Sequence, residues 1–451
     1  MRGHLNRRKF IGTMGLAAAS GVVPTLGASA HKNSKLRILQ VGVGGMMGGV
    51  DRQGLIGHPK VEFAGLCDIN KNNLDAVSRQ IPKAKTYSDC RDAYEKDLDD
   101  YDAVLICTPD HAHALFALHA LANDKHLFLQ KPVVHQLEEV GMLKKALAAK
   151  PGLVTQMGNQ RSAHTGRNQA IAILKSGTLG KVKSAWAWIN HTMERSRFDQ
   201  AWIEKYPVTN PIPKHMSWDL WKNGCKENVP YSDDLTHIKW RSYWEFGSGD
   251  LGDWCCHLLD IIYLALDLDV PIAVQTDTPM ASNAVGHSTY NHSRITFNPT
   301  AYTTAGNFIV HYSDAAHPPC AQTGLPPGTR FGNCYTLFAC ENGTLVVSAD
   351  GDISIFQNGK KVDLPRPEVA GHSHWHDWVD NCLGAKKELL GRLDLGVRVT
   401  EAGQLAVKAT RYPNRELVWN SKECRFKDDP PNKTILRRSY RDGFKPPAEF
   451  I

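Results

Sequence analysis

The apolar run Leu36-Arg-Ile-Leu-Gln-Val41 passes directly into Gly42-Val-Gly44-Gly45-Met46-Met47-Gly48 and then into helix-like sequence. Glycines at a strand-to-helix turn let the backbone approach a ligand closely, and the N-terminus of the helix faces a pyrophosphate with positive potential. A second strand, Val61 to Leu66, ends in Cys67-Asp68, 26 residues beyond Gly42. A carboxylate there accepts hydrogen bonds from adenosine ribose hydroxyls and repels a 2′-phosphate, which selects NAD over NADP. Met47 stands where the usual fingerprint has its third glycine, so Gly45 or Gly48 is left to make the close helix–strand contact. Gly42, Gly44, Gly45, Met46 and Asp68 are therefore candidate cofactor contacts in a dinucleotide-binding domain over residues 35–157.

Strands at Ala103 to Cys107 and His126 to Leu129 alternate with helical sequence, which predicts a parallel sheet. Ligands bind beyond the carboxyl ends of such strands. Two clusters fall there: Thr108-Pro109-Asp110-His111-Ala-His113 and Gln130-Lys131-Pro132. Thr108, Pro109, His111, His113, Gln130 and Lys131 join the cofactor candidates, and Lys131 places a cation over the cleft.

Residues 1–30 have the three parts of a twin-arginine export signal. Arg7-Arg8-Lys9-Phe10-Ile11-Gly12 precedes an apolar stretch from Met14 to Leu26, and Ala28-Ser29-Ala30 follows as a cleavage site. The expectation is passage through the twin-arginine translocase to the periplasm or another extracytoplasmic space. Loss of the four leader cations lowers the net charge from +7 to +3. That remainder is too small and too interspersed to suit nucleic acid or a membrane surface, and no second apolar run reaches the roughly 20 residues of a membrane span. Of the eleven cysteines, Cys320, Cys334 and Cys340 lie close enough in sequence to permit one bridge.

Beyond Gln160 the pattern changes to strands without intervening helices, such as Ser293 to Phe297, Asn307 to Tyr312, Gly343 to Ser348 and Asp352 to Phe356. Residues 158–440 thus read as a second domain with an antiparallel-rich sheet. Trp186 and Trp188 share one face of a strand, where sheet packing is the simpler role. The aromatic stretch from Pro207 to Trp244 either forms a ligand surface, with Arg241, Tyr243 and Trp244 as substrate candidates, or wraps a neighbouring domain or subunit, and the two roles are compatible. His372, His374 and His376 fit helix capping better than a metal site, because no H-E-x-x-H spacing accompanies them. No metal is expected.

The segment Gly247-Ser-Gly249-Asp-Leu-Gly252-Asp253-Trp-Cys-Cys-His257 enters an apolar helix. Asp253 and His257 are four apart and share a face, so the carboxylate can orient the imidazole as a proton acceptor.

In the order and spacing of these motifs the chain resembles the glucose–fructose oxidoreductase, inositol dehydrogenase and MocA family. The glycine turn, Thr108-Pro109-Asp110-His111, Lys131-Pro132, Gly158-Asn159-Gln160 and Gly249-x-x-x-Asp253-x-x-x-His257 carry the likeness over residues 35 to 440. Its ending, Leu417 to Lys422 and Tyr440 to Gly443, is similar to an exported branch. The resemblance implies an α/β protein, a Rossmann domain followed over residues 158–440 by a substrate and oligomerisation α/β domain with a large, open, mostly antiparallel sheet used for homodimer or homotetramer contacts. It places Gln160 at the cofactor and Lys131, Asp253 and His257 at both the catalytic and the substrate site. Gln130 replaces the glutamate of the family's Glu-Lys-Pro, which removes a carboxylate from beside the lysine. The implied reaction is hydride transfer between a sugar or polyol carbinol carbon and NAD. NAD-dependent glycoside cleavage through transient oxidation and non-catalytic sugar binding remain open beside it.

Overall fold

A computed structural model describes residues 35–189, 204–225, 228–283, 285–315 and 317–451; the leader 1–30 lies outside the described residues. The first sheet has six parallel strands, β1 (Leu36–Val41), β2 (Val61–Cys67), β3 (Lys85–Tyr87), β4 (Ala103–Ile106), β5 (His126–Gln130) and β6 (Thr155–Gly158). Their spatial order is β3-β2-β1-β4-β5-β6. The chain reverses direction across the sheet beside β1, and ligands of doubly wound folds bind at such a switch point. Leu39, Val104, Leu105, Phe128 and Leu129 are fully buried, as expected of strands covered on both faces.

The second sheet has ten strands: β7 (Val182–Ile189), β8 (Pro271–Asp277), β9 (His292–Phe297), β10 (Phe308–Ser313), β11 (Cys334–Cys340), β12 (Thr344–Ser348), β13 (Ile353–Gln357), β14 (Lys360–Val362), β15 (Leu417–Asn420) and β16 (Arg425–Phe426). β7 and β10 run parallel and the other pairings are antiparallel, as the sequence predicts. The apolar helices Gly249–Leu266 and Leu393–Ala409 lie against each other and against this sheet, sharing one core with the first domain. Trp186 and Trp188 do pack on sheet neighbours: Trp186 stacks on His311 at 3.6 Å between ring centroids, Trp188 on Tyr335 at 5.8 Å.

The return of the chain to the first domain was not anticipated. The helix His376–Cys382 docks on the helix Gly45–Ile56 rather than staying with the second sheet. Trp378 packs edge-on against Phe128 of β5, and His58 contacts Asp380 at 3.2 Å. His374 is buried against Phe128. Among the described residues no group of three His, Cys, Asp or Glu side chains is arranged to hold a metal ion.

The bridge that the spacing of Cys320, Cys334 and Cys340 permits is not formed; all eleven cysteines are free. Cys334 and Cys340 occupy opposite ends of β11, and six residues of strand separate them by about 20 Å. Cys320 instead turns its thiol to the Thr329 carbonyl. No described helix is long and apolar enough to cross a membrane.

Candidate functional site

Five parallel strands deliver one candidate each at their carboxyl ends. Across the sheet these are Asp68 after β2, Gly42 after β1, Thr108 after β4, Lys131 after β5 and Asn159 after β6. Four interstrand steps make this row about 19 Å long, enough to seat an extended dinucleotide.

Gly42 has φ +83°, and a Cβ there would lie 2.8 Å from the Cys107 carbonyl oxygen, so only glycine fits. Gly48, not Gly45, makes the close helix–strand contact: its Cβ would meet Gly42 O at 2.8 Å and Val43 O at 2.9 Å. Gly44 caps the helix, Gly45 opens it, and Met46 stands 68 % exposed on its first turn. Asp68 accepts from the Val43 amide at 3.1 Å, the Gly44 amide at 2.9 Å and the Asn70 amide at 2.9 Å. Burial pushes its carboxyl up, and these amides pull it back. The Thr108 hydroxyl is buried without a hydrogen-bond partner, and Pro109 caps the helix Asp110–Ala122. The excluded Cβ at Gly42, the helix start and the orphaned hydroxyl all fit NAD.

Four cofactor candidates play other parts. His111 is buried, with Nε2 2.8 Å from the Trp221 carbonyl and Nδ1 3.3 Å from that of Phe246. His113 faces the carbonyls of Pro132 at 2.7 Å and Thr108 at 2.6 Å. Burial lowers their pKa values to about 3 and about 4. Each neutral ring has one N–H and donates to one of its two carbonyls, so both histidines fasten the loops on either side of them. Gln160 opens a short 3-10 turn beside Asn159, with no hydrogen bond into the site.

Gln130 accepts from the Lys131 amide at 3.3 Å through Oε1 but makes no contact with the lysine ammonium. Its Nε2 donates to Asp51 Oδ2 at 2.6 Å, and Asp51 also accepts from Trp375 Nε1 at 3.0 Å. Burial raises the Asp51 carboxyl to about 6. A glutamate at 130 would oppose Asp51 with a second buried carboxylate. Gln130→Glu is therefore expected to destabilise the fold by about 1–3 kcal/mol at neutral pH, measured by urea denaturation, and addition of Asp51→Asn to recover most of it.

Lys131 and Asp253 come from different domains and meet. The Lys131–Pro132 peptide is cis. Lys131 Nζ donates to Asp253 O at 2.7 Å and Asp253 Oδ1 at 3.1 Å. Arg241 Nε reaches the same Oδ1 at 3.3 Å. Gly247 makes this possible, because a Cβ there would sit 2.4 Å from Arg241 Cα. Asp110 is the unanticipated fourth member. One of its oxygens is buried without a partner, and burial followed by repulsion from Asp253 raises its pKa to about 7.

His257 shares the helix face with Asp253, but its orientation comes from elsewhere. Nδ1 lies 2.6 Å from Asn159 Oδ1. The Asn159 amide nitrogen donates to Asp260 Oδ2 at 2.8 Å and Cys256 O at 2.7 Å, which fixes which end of the amide faces the imidazole. Asp260 pairs with Arg167, each side chain 1 % exposed. Nδ1 therefore carries the proton, and Nε2 keeps its lone pair. The expected Asp253–His257 bond gives way to an Arg167–Asp260–Asn159–His257 chain, because Asp253 is engaged by the two cations. Gly158-Asn159-Gln160 marked this place in the sequence; the amide and not its neighbour is the acting residue.

Burial, with Lys131 and then Arg161 contributing, holds the His257 pKa well below its ordinary value, while Asp253 opposes them. The ring is thus a neutral base across the physiological range. Removing a nearby cation makes the imidazolium easier to form. Arg161→Gln is expected to move the acidic limb of the kcat/KM profile to higher pH, read from the pH dependence of turnover.

Tyr243 and Trp244 do not present rings to substrate. Tyr243 is 1 % exposed and stacks on Tyr206 at 5.4 Å. Trp244 is enclosed by Lys408 at 4.5 Å and Arg411 at 3.8 Å from its centroid. The aromatic stretch buries its rings on one another, in a cluster that includes Trp218, Trp221, Tyr231 and Trp240. Of the substrate candidates, Lys131, Arg241, Asp253 and His257 are brought together.

Residues 36–158 match the oxidoreductase family model for an NAD-binding Rossmann fold, and residues 173–311 match that family's C-terminal alpha/beta domain. A glycosyl hydrolase family 109 protein of Shewanella pealeana is 30 % identical over 169 residues, covering 30 % of this chain and 35 % of that protein. An inositol 2-dehydrogenase of Gluconacetobacter diazotrophicus is 28 % identical over 136 residues, covering 30 % and 38 %. The chain thus matches little more than a third of the length of these curated relatives. An inositol dehydrogenase homolog from Azotobacter vinelandii, solved with NADH and myo-inositol, shares the fold at TM-score 0.58 and 15 % identity, over 86 % of this chain and 98 % of that one.

Proposed function

Since the chain belongs to the Gfo/Idh/MocA oxidoreductase family and carries its NAD-binding Rossmann domain, we propose that it oxidises or reduces a sugar, polyol or glycoside at a carbinol carbon. The observation that carries this reading is the meeting of Lys131 from one domain with Asp253 from the other, one helical turn from a neutral imidazole with a free Nε2. NAD, when bound, supplies the hydride acceptor. His257 Nε2 takes the hydroxyl proton. The Lys131 ammonium donates to the reacting oxygen and stabilises negative charge there. Asp253 holds Lys131 and Arg241 in place, and the terminal guanidinium nitrogens of Arg241 offer donors to neighbouring hydroxyls.

A second reading is redox-neutral cleavage of a glycoside, in which a transient ketone acidifies the adjacent C–H. Similarity to several glycosyl hydrolase family 109 proteins favours it. One experiment separates the two: incubate the NAD-loaded protein with sugars and their aryl glycosides, and follow absorbance at the NADH band together with aglycone release. Net NADH or ketosugar supports the dehydrogenase. Aglycone release without net NADH supports cleavage, and neither product with any substrate counts against both.

We also propose export through the twin-arginine route, supported by the order Arg7-Arg8, apolar stretch and Ala28-Ser29-Ala30. Replacing both arginines by lysine should hold a fused reporter inside the cell.

A further inference from the structure

β2 and β4 lie on either side of β1 in the first sheet, so the loops that follow them flank the glycine turn. A segment of the second domain is fastened to both loops. On the β2 side, the Lys71 amide donates to His215 O at 2.7 Å and the Ser217 amide to Ile69 O at 3.2 Å, forming an antiparallel bridge between Asn70 and Met216. These contacts begin one residue beyond Asp68. On the β4 side, His111 bonds the Trp221 carbonyl at 2.8 Å and its ring lies 4.9 Å from that of Trp221.

The reach agrees with this arrangement. Two interstrand steps are about 10 Å. From His215 to Trp221 the chain has a few extended residues followed by one helical turn, enough for that distance. The segment is also pinned from outside. Arg441 donates to Asp219 Oδ1 at 2.5 Å, to Asp219 O at 2.7 Å and to Asn223 O at 2.9 Å. A Cβ on Gly224 would lie 2.9 Å from the Tyr440 ring, so the C-terminal tail closes over the segment.

We propose that residues 215–221 form a strap across the dinucleotide site, so that NAD is retained through many turnovers instead of exchanging at each one. The glycine turn and Asp68, which would hold the pyrophosphate and the ribose, lie between the two fastenings. Departure of the nucleotide requires the Asn70–Met216 bridge or the His111–Trp221 contact to open. On the proposed dehydrogenase reading, the hydride taken from one carbinol carbon then leaves the protein only on a carbonyl carbon, of the same substrate after its transformation or of a second substrate, while the proton held at His257 Nε2 returns to that carbonyl oxygen.

The test measures nucleotide exchange rather than activity. The full chain is loaded with NAD, mixed with excess deuterium-labelled NAD, and the bound nucleotide is weighed over time. Exchange over hours is expected, and at least tenfold faster exchange in Arg441→Ala. Asn70→Cys with Met216→Cys supplies an internal comparison, because all native cysteines are free and opposed bridge residues suit a disulfide. The oxidised double variant should exchange at least tenfold more slowly than the same protein after reduction. Exchange within seconds in the unaltered protein, or oxidised and reduced rates within twofold of each other, overturns the strap. Failure to retain any nucleotide after loading overturns the cofactor assignment itself, a distinct result.

Discussion

His257→Ala is expected to lower kcat by about 10²–10⁴-fold, the usual contribution of a positioned general base, while the amount of bound NAD stays unchanged. The reasoning is geometric. Nε2 has no hydrogen-bond partner among the described residues, and Nδ1 is held by Asn159. Removing the ring leaves Lys131, Asp253 and Arg241 in their mutual contacts, so binding of substrate and nucleotide is largely preserved. The loss should fall on kcat, with KM moving much less. Wild-type kcat in this variant, with full nucleotide content, would remove His257 from the mechanism.

Arg167→Met is expected to cost about 3–5 kcal/mol of stability, because it strands a buried charge. The Arg167 and Asp260 side chains are each 1 % exposed, so the carboxylate left behind sits out of contact with bulk solvent. Burial already pushes the Asp260 carboxyl up, with Arg167, the Ile261 amide and Asn159 pulling it down. Removing Arg167 raises it further above its unfolded value. A carboxyl raised in the folded state binds its proton more tightly there, so the folded form gains as the pH falls. The defect should be largest at neutral and alkaline pH and shrink in acid. Urea unfolding at two pH values measures both parts. Because Asp260 also fixes the Asn159 amide, kcat should decline even where the variant remains folded.

Much of this protein was readable along its chain. Gly42 required a positive φ and a close approach to the neighbouring strand, and Asp68 closed β2 beside it, so the cofactor site followed from local spacing. The antiparallel second sheet followed from strands that succeed one another without helices. Neither result depends on distant partners. The aromatic stretch was harder: a tryptophan in sequence looks the same whether its ring meets a sugar or another tryptophan, and only packing separated Trp218 and Trp221 from a binding platform. The same is true of His111 and His113, whose carbonyl partners belong to other segments.

The sequence by itself determined the Rossmann architecture, the place of Asp68 at the carboxyl end of β2, and the common face of Asp253 and His257, since each depends on chain periodicity or on residues a few positions apart. Tertiary structure alone decided the pairings: Asp253 with Lys131 and Arg241, His257 with Asn159, Gln130 with Asp51. The reason is physical. Helical spacing fixes which side chains point the same way, but a charged or hydrogen-bonding group settles on whatever partner burial leaves within about 3 Å; Asp51, Lys131 and Asn159 lie some 80 to 120 residues from their partners in the chain, and Arg241 lies 12 from Asp253.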